Sequence, residues 1–302
     1  MGSLNIEKVL ILGAGTMGLQ IGIQCAASGF AVTVFDPFED ALEGARQRVG
    51  KLAGRLAACN RFSKEKAEDS LPRISFTSDP RAAGKDADII NESVPEDPKL
   101  KAKVFAQFNG ICPDHTIFTT NTSTLVPSMI AEATGRPARF CALHFHDCQV
   151  TNVVDIMPHP GTSMDTLETV RAFCTAIDQF PIELKKEQHG YVFNTMLSEW
   201  MASALTLASK EVARVEDIDR SWMGIMRSMS GPFGIMDSIG LETVYKVTDY
   251  WAEAKQDPQA RQNAAFLKAY VDRGDLGIKT GKGFYSYPEP EYLSPEFLKG
   301  IH

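Results

Sequence analysis

KVLILGAGTMGLQIGIQCAASGFAVTVFD, residues 8–36, decides the fold of this chain. Lys8 to Leu12 is a short apolar run, and Gly13-Ala14-Gly15-Thr16-Met17-Gly18 follows without a gap. Leu19 to Ala27 then reads as a helix, and Ala31 to Phe35 as a second strand ending on Asp36. Strand, G-x-G-x-x-G, helix, strand and acid is the order of a dinucleotide-binding unit. Gly13 permits the tight turn, Gly15 lets the backbone approach a pyrophosphate, and Gly18 lets the helix pack close to the strands. The N–H groups that begin the helix, at Thr16 and Met17, are suited to phosphate oxygens. Asp36, eighteen residues after Gly18, is placed to accept from the ribose hydroxyls and to repel an extra phosphate, so the unit reads as a site for NAD rather than NADP.

The remainder of the chain extends this pattern. Pro37 to Cys59 reads as one helix with Glu39, Asp40 and Glu43 at its positive end. Ser63 caps a short helix running to Ser70, which makes a helical hairpin carrying Arg46, Arg48, Lys51, Arg55, Arg61, Lys64 and Lys66. Such a charge run reads first as a solvated face, and more sharply as a clamp for a phosphorylated substrate handle. Strands are expected at Arg73–Thr77, Ala87–Val94, Ile117–Thr120, Phe140–Phe145 and Val153–Met157. Strands alternating with helices make an α/β, doubly wound and mainly parallel sheet, in which ligands sit beyond the carboxyl ends of the strands. Asp36, Asn121 to Ser123 and His144 all fall at such ends.

The character changes after Lys186. Tyr191 to Val212 has Phe193, Leu197, Met201, Leu205 and Ala208 at helical spacing, widened by Val192, Met196 and Trp200. A stripe this wide must pack on further helices, a partner subunit's included. Residues 1–186 are therefore expected as a Rossmann-type nucleotide-binding domain and 187–302 as an all-helical domain, with Asn194 beside the stripe at the start of its first helix.

Composition narrows the function. The 302 residues carry a net charge of −7, which argues against a nucleic-acid or anionic-membrane partner. The six cysteines, scattered and without a C-x-x-C pair, suit free thiols in a reducing compartment better than disulfides or a zinc site, so no metal is expected. No basic-then-apolar leader precedes Lys8, Ile6 stands where a myristoylation signal after Met1-Gly2 needs Ser or Thr, and no segment is long enough to span a membrane. The expectation is a cytoplasmic enzyme.

Eight segments, in order, carry a family resemblance: ILGAGTMG (11–18), INESVPEDPKLK (90–101), TTNTSTL (119–125), ALHFH (142–146), VVDIM (153–157), HGYVFN (189–194), GPFGIMDSIGL (231–241) and GIKTGKGFYSYP (277–288). With them the chain resembles the 3-hydroxyacyl-CoA dehydrogenases over nearly its whole length. The resemblance implies an NAD domain, a helical domain used for homodimerisation, and a His–carboxylate pair. It makes His144 the general base for a substrate hydroxyl (the acid in reduction) and Asp155 its partner. Ser123 and Asn194 match positions that hold the substrate oxygen. Glu96 and Lys101 match positions beside the nicotinamide ribose, and Asn121 is grouped with the cofactor-binding residues. GPF is read as a turn and packing element, and KTGKGFY as a loop docking on the helical domain.

Two departures bear on function. The segment is His144-Phe145-His146-Asp147-Cys148, and its acid is Asp155, where the family pattern has a Glu one residue further along. Unless a backbone shift restores reach, His146 or Asp147 takes part of the role; otherwise His146 is a supporting or loop residue, and His159 and His189 carry no functional role. HFHDC-VTNVVDIM and PIELKKEQHGYVFN look closer to the diketoreductase-like branch, which acts on free dicarbonyl or β-keto ester compounds. The expected activity is NAD-dependent interconversion of a 3-hydroxy and a 3-oxo carbonyl compound without CoA. The alternatives are an (S)-3-hydroxyacyl-CoA dehydrogenase of fatty-acid oxidation and a catalytically silent NAD-binding structural protein.

Overall fold

The computed structural model describes residues 5–299; the Met1-Gly2 reading lies outside them. Eight strands form one sheet in the order β3-β2-β1-β4-β5-β6-β7-β8. They are β1 (Lys8–Leu12), β2 (Ala31–Phe35), β3 (Ile74–Thr77), β4 (Ile89–Glu92), β5 (Ile117–Thr120), β6 (Phe140–Phe145), β7 (Val153–Met157) and β8 (Phe180–Glu183). The first six are parallel in the order of a dinucleotide-binding sheet, with the crossover reversing between β1 and β4. β7 turns back antiparallel to β6, and β8 runs parallel to β7.

Strand periodicity explains why both sheet faces are covered. Val9 and Ile11 enter one apolar cluster with Leu19, Ile23, Val34 and Leu143. Leu10 and Leu12 enter the opposite one with Ile90, Phe105, Phe118 and Phe140. Successive side chains leave opposite faces of the pleat, so a fully apolar strand requires helices on both sides. These are α1 (Thr16–Ala27), α2 (Glu39–Ala58), α3 (Lys64–Ser70), α4 (Pro80–Gly84), α5 (Pro98–Asn109) and α6 (Met164–Ala176). Ser63 caps α3 by accepting from the Lys66 N–H at 3.2 Å, and Asp97 caps α5 through Lys99 and Leu100.

The chain divides into two compact units, residues 5–192 and 193–299. The first runs past Lys186 because Tyr191 is fully buried there against Ala142 and Met157, with Leu184 beside them. The second holds α7 (Phe193–Ser209), α8 (Val215–Met226), α9 (Pro232–Ile239), α10 (Leu241–Lys255) and α11 (Pro258–Asp272), around Leu205, Met223, Phe233, Met236, Leu241 and Leu267. The GPF segment starts α9. The loop after α11 docks onto this unit, with the Phe284 and Tyr285 N–H groups donating to Asp237 at 2.9 and 3.0 Å. All six cysteines are free, five of them buried. Among the described residues, no helix is long and apolar enough to cross a membrane.

Candidate active site

The glycine turn leaves the end of β1 with Gly13 at φ +109°, and a Cβ there would meet the Ser93 carbonyl oxygen at 2.7 Å. A Cβ on Gly18 would fall 2.1 Å from the Gly13 carbonyl oxygen, so the neighbouring β4 loop excludes a side chain at Gly13 and close helix–strand packing excludes one at Gly18. At Gly15 nothing lies within 4 Å of the Cβ position. Its bareness serves no packing need of the protein and leaves room for a ligand against the backbone. No side chain caps the start of α1, which leaves its first N–H groups for an anion. Asp36 accepts from Ala14 N–H at 3.0 Å and Phe38 N–H at 3.1 Å. One bond per oxygen leaves each carboxylate oxygen a further lone pair for a ribose hydroxyl. The turn, the uncapped helix and the acid fit a dinucleotide.

Between β4 and β5 lies a buried ionic network. Lys101 Nζ donates to Glu92 at 2.7 Å and to the Val94 carbonyl at 3.2 Å, and it lies 3.2 Å from Glu96. An ammonium has three donors, and these acceptors account for all of them. Lys101 is buried and holds Glu92 and Glu96 in place. Thr120 donates to Glu92 at 2.6 Å. Burial pushes the Glu92 carboxyl up, opposed by Lys101 and these hydrogen bonds. Burial also acts on Glu96, but Thr122, Lys101 and Thr124 outweigh it and hold that carboxyl below its ordinary value. Half-buried Ser123 follows Thr122, and its hydroxyl has no protein partner among the described residues.

The third group stands at the β6–β7 pair. His144 and Asp155 are direct cross-strand partners, and opposed residues of an antiparallel pair project from the same face. The register therefore supplies the reach that the shorter spacing and the shorter acid put at risk. His144 Nδ1 lies 3.1 Å from Asp155 Oδ2. His146, two residues on and on the same side of the pleat, brings its Nε2 to the same oxygen, also at 3.1 Å. The two imidazoles meet edge to face at 4.6 Å. Burial opposes ionisation of Asp155, but bonds from both histidines outweigh it and keep its carboxyl below the usual value. Asn121 Oδ1 accepts the Phe145 N–H at 2.7 Å, which fixes the strand end beside His144.

Tyr191 completes the setting. Its ring stacks on His144 at 4.7 Å and 26°, and its hydroxyl donates to the Thr122 carbonyl at 2.7 Å. It stands at φ +54°, uncommon for a bulky residue. Sequence reasoning passed over Tyr191 and Glu92. An acid ending an otherwise apolar strand was the available signal for Glu92; Tyr191 gave none beyond its place in HGYVFN. Asn194 is the second residue of α7, in the helical unit. His159 bonds the Pro137 carbonyl and the Gly161 N–H, and His189 the Thr124 carbonyl, which are backbone-holding roles.

The sequence model of the 3-hydroxyacyl-CoA dehydrogenase NAD binding domain matches residues 8–188, and that of the C-terminal domain residues 190–287. The mitochondrial hydroxyacyl-coenzyme A dehydrogenase of Rattus norvegicus is 31% identical over 288 residues, 93% of this chain and 91% of that protein. A probable 3-hydroxybutyryl-CoA dehydrogenase of Bacillus subtilis is 31% identical, over 95% of this chain and 99% of its own. Among solved structures, a diketoreductase described for dual catalysis of dicarbonyl compounds superposes with a TM-score of 0.87 at 38% identity, covering 93% of this chain and 99% of that one. The (S)-3-hydroxybutyryl-CoA dehydrogenase of Ralstonia eutropha superposes at 0.83 with 28% identity, covering 94% and 100%.

Proposed function

This chain belongs to the 3-hydroxyacyl-CoA dehydrogenase family of NAD-dependent oxidoreductases, and from that premise we propose that it interconverts a 3-hydroxy and a 3-oxo carbonyl compound with His144 as general acid and base. The observation that carries the reading is the His144–Asp155 pair at the carboxyl end of β6, 3.1 Å apart and largely removed from water. Bound NAD supplies the hydride acceptor, and NADH the donor. The protein supplies the proton chemistry. Asp155 holds the proton of His144 on Nδ1, which leaves Nε2 with the lone pair that takes the substrate hydroxyl proton; in reduction Nε2 returns it. The Asp155 carboxylate stabilises the imidazolium so formed. Tyr191 fixes the ring plane. Ser123 holds the substrate oxygen, a role that the family motif supports.

The substrate is a free β-dicarbonyl compound. Identity of 38% to the diketoreductase against 28% to the Ralstonia CoA-thioester enzyme supports this. Two of the hairpin's cations are also internally engaged: Arg46 pairs with Glu39 at 2.9 Å, and Arg48 donates to the Gly44 and Ala14 carbonyls. One observation favours a CoA thioester instead. Lys51, Arg55 and Lys66 are exposed with no ion pair among the described residues. NADH oxidation measured with acetoacetyl-CoA and with a free β,δ-diketo ester, side by side, decides between them. Turnover of the free compound at least equal to the thioester is expected. Turnover of the thioester alone makes the hairpin the CoA clamp, and NADH binding without turnover of either removes the enzymatic reading. The helical unit pairs with a second copy, which the exposed Val212, Ile225, Met226 and Met229 support.

A further inference from the structure

Two imidazoles directed at one carboxylate oxygen exceed what acid–base chemistry needs, since a single histidine with one orienting acid performs it. We propose that His144, His146 and Asp155 also form a Zn²⁺ site whose occupation blocks proton transfer. The donor set, two imidazoles and a carboxylate, is the one borderline divalent ions take, and three protein ligands with an open fourth position is a common zinc arrangement. The donor atoms lie within 4.8 Å of one another, and each nitrogen is 3.1 Å from the shared oxygen. Bonds of about 2.1 Å in a tetrahedral site put ligand atoms roughly 3.4 Å apart, so each nitrogen–oxygen separation opens by a few tenths of an ångström while the two ring nitrogens close from within 4.8 Å, a movement that rotation of the His146 side chain supplies. Asp155 Oδ1 accepts no hydrogen bond among the described residues and is open to a second metal contact.

Placement favours the ion as well. His144 and Asp155 sit in register on paired strands, and Tyr191 packs on the His144 ring, so two ligands are preorganised. His146 is partly exposed and gives an approach from water. Blocking follows from tautomer chemistry. Zn²⁺ on His144 Nδ1 leaves the proton of the neutral ring on Nε2, and an Nε2 that already bears a proton cannot take one from a substrate hydroxyl. The blocking step rests on His144 being the acid–base group; the binding step does not.

Calorimetry with Zn²⁺ on untagged full-length protein, and Co²⁺ absorption spectra, test the binding step. One ion per chain is expected, with affinity lowered at least about tenfold in His146→Asn and in Asp155→Asn. His115→Gln and Cys59→Ser each remove an exposed surface donor, and both are expected to keep the affinity. Thermal unfolding establishes that each variant is folded. No bound ion, or affinity unchanged in folded His146→Asn, overturns the site. In turnover assays, Zn²⁺ is expected to inhibit with a midpoint at the calorimetric Kd, reversed by EDTA; binding with turnover intact overturns the blocking step. A protein that turns over no β-keto substrate yet binds Zn²⁺ through His146 keeps the site and loses only the enzymatic reading.

Discussion

At the residue scale, His144 is defined by what surrounds it. His144→Gln keeps a group of similar size under Tyr191 but removes the ring nitrogen that takes and returns the proton. Its kcat for NADH oxidation is expected to fall by about 10²–10⁴, with NADH affinity, read by fluorescence titration, unchanged. Asp155→Asn lowers kcat through the wrong tautomer while stability stays near wild type. Lys101 predicts the opposite division. Lys101→Met leaves the buried Glu92 carboxylate without its cation, so urea unfolding is expected to show a loss of about 3–5 kcal/mol. A loss confined to NADH affinity, with stability intact, would instead make Lys101 a direct ligand group. The sequence carried His144 and Asp155 through their motifs, since VVDIM fixes the acid whatever the loop length. It could not carry His146 onto the same oxygen, because which residues oppose each other across β6 and β7 depends on the register of the turn between them.

At the element scale, the glycine turn and α9 make separable predictions. Gly15→Ala has open space for its Cβ, so unfolding stability stays within about 0.5 kcal/mol of wild type while NADH affinity falls at least about tenfold. Gly18→Ala, with its Cβ 2.1 Å from a backbone oxygen, must push α1 off β1 and lose stability as well. Equal behaviour of the two variants would contradict the distinct jobs given to these glycines. In the helical unit, Asp219 accepts the Phe233 and Gly234 N–H groups that open α9, and also the Tyr285 hydroxyl. Burial nonetheless pushes its carboxyl up to about 6 from 3.8. The folded value lies above the unfolded one, so this contribution is complete below the unfolded value and is lost as pH rises through about 6. Urea midpoints are expected to fall between pH 5 and pH 8, and to fall less in Asp219→Asn. The strands with an alternating or fully apolar run were legible to the residue, β1, β2, β5, β6 and β7 among them. β8 was not, because Phe180-Pro181-Ile182-Glu183 is a half-exposed edge strand with a proline, which erases the period.

At the scale of the whole molecule, the two units obey different rules of legibility. The sheet unit repeats strand, turn and helix, so its layering follows from periodicity alone. The helical unit shows only a stripe, and a stripe states that something must cover it without naming what. The stripe is buried toward the end of α7, at Ala204, Leu205 and Ala208, and exposed nearer its start, at Met196. Further along this unit Ile225 is 77% and Met229 83% exposed, with Val212 and Met226 also open. Large apolar side chains left open in this number within one unit suit an interaction surface. A second copy of the same chain is the economical cover, since a two-fold interface lets one patch serve both sides. Sedimentation at micromolar concentration is therefore expected to give a dimer for the wild type. Ile225→Asp with Met229→Asp places carboxylates in a desolvated interface at several kcal/mol, enough to raise the dimer Kd by about a hundredfold or more and shift the chain to monomer. Each unit keeps its own core in that variant, so its unfolding at high protein dilution should match the wild type. A wild type that sediments as a monomer, or a double variant that stays dimeric, would assign this surface to something other than a second copy.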